Sequence, residues 1–152
     1  MRVVAKAVAL GILLSLLVTG CKGSGQAGTF TGDYEMLMLD EAPAVLQRHF
    51  ERQKAVPGLT VYSADGQTYL LLRAGRAEEP ELGVKVLAVK SPVKGTDEVQ
   101  IVAMVEPFPG ETGAFPYALL VLQGGAGLTY KARLSVRSEV PLELPGIPLA
   151  EQ

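Results

Sequence analysis

The sequence predicts an α+β domain: one N-terminal amphipathic helix packed on a mainly antiparallel β-sheet, or a small barrel or sandwich, of about six or seven strands. Three observations carry this. One stretch, residues 41–55, has apolar positions at helical spacing. From Leu59 onward the apolar period changes to two, with Gly- and Pro-rich punctuation between the segments. Two segments, LLVL within 117–123 and IVAMV within 99–106, are apolar without interruption, the pattern of strands covered on both faces.

The elements follow in chain order. Residues 1–20 carry Arg2 and Lys6 and then an apolar run from Ala7 to Val18. As a helix this run spans about 18 Å, short of a hydrocarbon core of roughly 30 Å. It reads as a secretory signal and not as a spanning helix. Fourteen of these 20 residues are apolar, so the chain's 48% hydrophobic content is concentrated here. The remainder falls to roughly 45%, an ordinary value.

The signal ends in Val18-Thr19-Gly20-Cys21, which resembles the bacterial lipobox. Small residues there let a signal peptidase approach the backbone, and a thiolate is needed for the thioether. The expectation is that Cys21 is acylated and becomes the mature N-terminus. With each buried CH₂ worth about 0.8 kcal/mol, several acyl chains would anchor it stably to a bilayer. The expected location is the cell envelope, outside the cytoplasm. Cys21 is the only cysteine, which excludes an internal disulfide, and with one histidine it cannot complete a protein-only Cys/His zinc site.

Residues 21–33 are rich in Gly, Ser and Thr with no apolar period, and predict a flexible tether about 17–21 Å in end-to-end distance. The domain is expected over 34–140. A short strand is read over 34–39. In the helix over 41–55, Asp40 is placed to cap, Pro43 sits in the first turn, and Val45, Leu46, His49 and Phe50 share one face. Pro57-Gly58 stops it.

Strands over 59–63 and 67–74 flank Asp65-Gly66, the strongest short hairpin signal. Further strands are read over 83–91, where the alternation is imperfect, and over 99–106, 117–123 and 129–136. Gly124-Gly125-Ala126-Gly127 lacks a following helix or a Lys-Ser/Thr pair, so it is a turn and not a phosphate cradle. Residues 141–152 carry three prolines and are expected to be an extended or frayed tail.

Charge narrows the function classes. The whole chain is at −2, and loss of the signal leaves twelve basic against sixteen acidic side chains. A net −4 argues against nucleic-acid binding by overall charge. Catalytic constellations are also missing from the sequence. His49 is the lone conventional near-neutral base, and no serine sits in a nucleophile-elbow context. Glu78, Glu79 and Glu81 lack the spacing of known Ca²⁺ loops and read as a solvated loop. The reading is non-enzymatic, with no cofactor and no metal.

What remains is a pair of irregular, Pro/Gly-rich loops, 75–82 and 107–116, each flanked by strands. Glu78, Glu79 and Glu81 lie on the first, Phe108 and Phe115 on the second, and Tyr117 follows it. Aromatic and charged groups on loops held by a rigid sheet are the usual material of a partner-binding surface. These six residues form the candidate site, set against the plainer reading that the phenylalanines plug the core.

The order Tyr69-Leu-Leu-Leu-Arg-Ala-Gly75, a loop, a Val-x-Val strand, a strand ending Glu106-Pro107, then Pro109-Gly110-Glu111 and Phe115-Pro116-Tyr117 resembles the C-terminal domain of the PrcB family. The resemblance covers roughly residues 41–136. It implies a small bacterial lipoprotein or secreted domain that acts as an accessory subunit of a surface protease complex. One departure stands out: where the family carries Thr-Gly-Gly-Tyr, this chain has Glu79-Pro80-Glu81-Leu82. The expected partners are thus a lipid bilayer, through Cys21, and another envelope or secreted protein, a protease among the candidates. The alternatives are a protease inhibitor using the same loops and a carrier of a small apolar ligand.

Overall fold

The computed structural model describes residues 33–77, 79, 82–90, 96–107, 114–137 and 139–150. It is α+β, and the described residues form one α-helix and eight strands in one sheet. The strands are β1 (Tyr34–Leu37), β2 (Gly58–Ala64), β3 (Gln67–Arg73), β4 (Leu82–Lys90), β5 (Glu98–Pro107), β6 (Tyr117–Gln123), β7 (Thr129–Val136) and β8 (Leu142–Pro148). They lie in the order β1-β6-β3-β2-β8-β7-β5-β4. Two of the pairings, β2 with β8 and β5 with β7, are parallel; the other five are antiparallel.

The eighth strand is the one the sequence hides. Residues 142–148 were expected in an extended or frayed tail and not in the sheet, yet β8 joins the two halves of the sheet. Its first half, Leu142 to Pro145, pairs with β7, and its second half, Gly146 to Pro148, pairs with β2. Each residue is thus paired on one side only, which is how a strand carrying Pro145 and Pro148 survives inside a sheet. A strand that changes sheets makes a corner. Gly146 sits at the switch, where a Cβ would come within 2.7 Å of the Tyr130 carbonyl oxygen. The corner requires glycine.

Curling at β8 brings β4 against β6 across the interior. Leu59, Leu70, Leu72, Leu120 and Leu122 from one half meet Val99, Ile101, Ala103, Ala132 and Leu134 from the other, all fully or almost fully buried. The imperfect alternation of β4 has a physical cause. Leu82, Val84 and Val86 point inward, a bulge falls between Val86 and Ala88, and Val89 resumes the inward phase. Leu87 is left 52% exposed at the bulge.

The helix α1 runs over Ala44–Gln53, shorter than the predicted 41–55. Pro43 disfavours the helical region for the residue before it, and Ala42 is accordingly extended at ψ 158. Residues Leu39–Glu41 therefore close a separate 3₁₀ turn, and Asp40 does not cap α1. Leu46 and Phe50 bury one stripe of α1 against Tyr62, Leu71 and Leu119, on the outer side of β2, β3 and β6. Both faces of the apolar runs in β3 and β6 are covered in this way. The corresponding run in β5 is not: Val102 and Met104 stay half-buried on its outer face.

The hairpin over β2 and β3 turns at Asp65 and Gly66, both at positive φ, as the Asp-Gly signal requires. Gly124, Gly125 and Gly127 also have positive φ and form the predicted turn. No helix among the described residues is long and apolar enough to cross a membrane. The signal and tether of residues 1–32 lie outside the described residues.

Candidate functional site

Two groups of side chains meet at one end of the domain, around the C-terminus of α1. The first is the loop pair. Beyond the last residues of β3 and before the first of β6, the two loops run side by side: the Ala74 amide donates to the Pro116 carbonyl at 3.1 Å, and the Ala77 amide to the Ala114 carbonyl at 2.8 Å. The Leu82↔Pro107 pair of β4 and β5 begins at the same end. Sheet topology thus brings together the two segments that the sequence singled out separately.

Of the six residues proposed there, Glu79, Phe115 and Tyr117 are described; Glu78, Glu81 and Phe108 lie outside the described residues, as does Cys21. Glu79 is exposed and accepts from Arg137 Nη2 at 2.6 Å, tying the first loop to the end of β7. Phe115 is half-buried against the α1 layer, and Lys54 Nζ stands 5.0 Å over its ring. Tyr117 meets Phe50 edge-on, with centroids 5.1 Å apart, and its hydroxyl accepts from the Leu39 amide at 2.9 Å. Phe115 and Tyr117 therefore anchor the loop end to the helix. Among the described residues the exposed chemistry there includes Arg76, Glu79, Arg137 and the rim of the Phe115–Lys54 pair.

The second group was not found by sequence reasoning. Arg73, at the end of β3, points to the outer face and is 6% exposed. Its Nη1 donates to the carbonyls of Gln53 at 2.8 Å and Val56 at 2.6 Å, in the turn that ends α1. A helix C-terminus carries about half a negative charge, so a cation is favoured there, and the neutral acceptors explain how a guanidinium is buried without a carboxylate. Nη2 makes a long contact of 3.5 Å to Thr60 Oγ1, and Nε has no hydrogen-bond partner among the described residues. Gly58, opposite Arg73 in the register, leaves room for it: a Cβ there would collide with Nη2.

Thr60 passes the contact on, since its hydroxyl lies 2.9 Å from His49 Nε2 on α1. A guanidinium only donates, so Thr60 accepts from Arg73, and its hydroxyl is also hydrogen-bonded to the ring. Burial holds the His49 pKa below its ordinary value, with Arg73 and then Arg52 adding to the depression. Desolvation likewise lowers Arg73. The signal for this cluster was present as Arg48, His49 and Arg52 on one helix, but the burial of Arg73 is a tertiary fact.

Above His49 lies an open groove of roughly 460 Å³ between α1 and the segment following β8, lined by Val45, Arg48, His49, Arg52, Gln53, Leu149 and Ala150. Its walls hold, among the described residues, two arginines and no acid. Among the described residues no group of three or more His, Cys, Asp and Glu is arranged to hold a metal ion. Comparison with protein-family models, curated proteins and solved structures returned no match.

Proposed function

We propose that this chain is a membrane-anchored, non-enzymatic lipoprotein of the cell envelope whose β-rich domain binds another envelope or secreted protein, as an accessory subunit of a surface protease complex. One observation supports the reading: the described ends of the two Pro/Gly-rich loops are hydrogen-bonded to each other at one end of a domain with a packed interior. Such a frame holds the exposed Glu79–Arg137 pair in place, so an approaching partner need not order that pair first. The lipobox at Val18-Thr19-Gly20-Cys21 supports the anchor, and the order of motifs from Tyr69 to Tyr117 supports the kinship with the PrcB family.

Co-purification from detergent tests the partner: a second envelope protein should be retained by the wild type and lost from a Glu79→Lys, Arg137→Glu double variant. Recovery of the lipoprotein alone would count decisively against the reading. Titration against serine, cysteine and metalloproteases separates an accessory subunit, which leaves turnover intact, from an inhibitor acting through the same loops. The carrier alternative, which would use the cleft between helix and sheet, is the weaker reading, because Leu46 and Phe50 pack there against Tyr62, Leu71 and Leu119. The anchor has its own test. Cys21→Ala should move the protein out of the membrane fraction, and unchanged fractionation would show that the lipobox is not used.

A further inference from the structure

We infer that the groove over His49 is a phosphate-class oxyanion site, formed by Arg48 and Arg52 with His49 on its floor. Four observations lead to it. Arg48 and Arg52 are exposed, lie one turn apart on α1, and neither is ion-paired among the described residues. Residues at i and i+4 stand about 6 Å apart at Cβ, so both guanidinium groups can reach one tetrahedral oxyanion. Glu51, the nearest acid on α1, is engaged with Lys54 at 2.9 Å and does not line the groove.

The third observation settles a conflict of sign. A groove near a helix C-terminus ought to repel anions, because the last carbonyls carry about half a negative charge. Here the Gln53 and Val56 carbonyls are occupied by Arg73, which brings a full positive charge. The local balance therefore favours an anion. The fourth is chemical. His49 is held by its 2.9 Å contact with Thr60 and lines the groove, so an anion bound there would favour the protonated ring. Val45, Leu149 and Ala150 complete the lining with apolar surface, which suits a phosphate bearing an organic group.

Phosphate of this kind comes from a soluble ion or ester or from a phospholipid headgroup. The site itself does not depend on the anchor proposed above, so the two readings fail separately. The test uses the full chain in neutral detergent micelles, labelled with nitrogen-15. His49 is the sole histidine, so its ring signals are unambiguous. Inorganic phosphate is titrated in at constant ionic strength against chloride. The expected result is a saturable shift of the His49 ring and of the Arg48 and Arg52 side-chain signals, with the His49 titration moving to higher pH.

Arg48→Gln with Arg52→Gln should weaken the apparent affinity at least about tenfold, since hydrogen bonds to charged groups exceed the 1.4 kcal/mol that tenfold represents. Arg48→Lys with Arg52→Lys should retain part of it, keeping charge but losing the fork. A shift that never saturates, that chloride reproduces, or that survives undiminished in the double Gln variant overturns the site. Micelles doped with phosphatidylglycerol, compared with phosphatidylcholine, assign the source: competition with phosphate identifies the headgroup, and its absence identifies the soluble ion or ester.

Discussion

The two faces of β2, β3 and β6 are built from the same three strands and differ in kind. The inner face offers Leu59, Leu70, Leu72, Leu120 and Leu122 to an opposing half-sheet and is aliphatic and dry. The outer face offers Thr60, Tyr62, Tyr69, Leu71, Arg73, Tyr117 and Leu119 to one ten-residue helix. A sheet covers a sheet completely, whereas one helix covers a stripe. Polar and aromatic groups fill the margins of that stripe, and the candidate chemistry of the molecule lies there. Stability should therefore reside mainly on the inner face, and adjustable charge on the outer.

The largest effect should come from the interior. Leu120→Ala removes a side chain with no solvent exposure between the two half-sheets, where little can collapse into the space. A loss of about 2–5 kcal/mol in urea unfolding is expected. A loss below about 1 kcal/mol would mean that the interior is not the main source of stability. Arg73→Met comes next. It deprives the Gln53 and Val56 carbonyls of their donor while keeping much of the packed stem, and should cost about 1–3 kcal/mol. Its particular signature is faster amide exchange at the end of α1, with β5 and β7 unaffected. Uniform loss of protection across the sheet would place Arg73 in the global core instead.

The inner face was legible in the sequence because period-two alternation is a local property. The hairpin at Asp65-Gly66 and the glycine turn at 124–127 were legible because their φ angles demand those residues. The outer layer was readable only in part: Leu46, Phe50 and the double-sided run at 117–123 announced a helix over a sheet, but nothing local marks Arg73 as buried. Its burial depends on a turn ending 17 residues earlier in the chain. Strand β8 was missed for a related reason. Proline argues against a strand because it cannot donate to a ladder, and that argument lapses where each residue is paired on one side only. The loop pair was identified from composition; that its described ends touch follows from the β3–β6 pairing, which joins residues 44 or more positions apart.

The pH response tests the outer layer without dissecting it. The unfolded ring titrates near the ordinary 6.5, and the folded ring of His49 titrates lower. Below the ordinary value the unfolded state takes up a proton that the native state resists, so unfolding gains from acid. The contribution is fully present above pH 6.5 and is lost as pH falls through the folded pKa. Thermal unfolding followed from about pH 7.5 to about pH 5 should show this slope, and His49→Gln should flatten it. A variant with an unaltered slope would transfer the effect to another group.

The smallest effect should belong to the loop end. Glu79 and Arg137 form a short ion pair at 2.6 Å, but both side chains are 54% exposed. Water and side-chain entropy offset most of the attraction, so Glu79→Gln should change global stability by less than about 1 kcal/mol. Salt should erase even that, since at 1 M the screening length falls to about 3 Å. Locally the pair joins a loop leaving β3 to the end of β7, one strand from each half of the curled sheet. Its removal should hasten exchange of the Ala77 amide, which is held by the Ala114 carbonyl in the neighbouring loop, and leave Leu70 and Leu120 unchanged. A cost above about 2 kcal/mol would make the loop end part of the structural frame and not a surface that the frame presents.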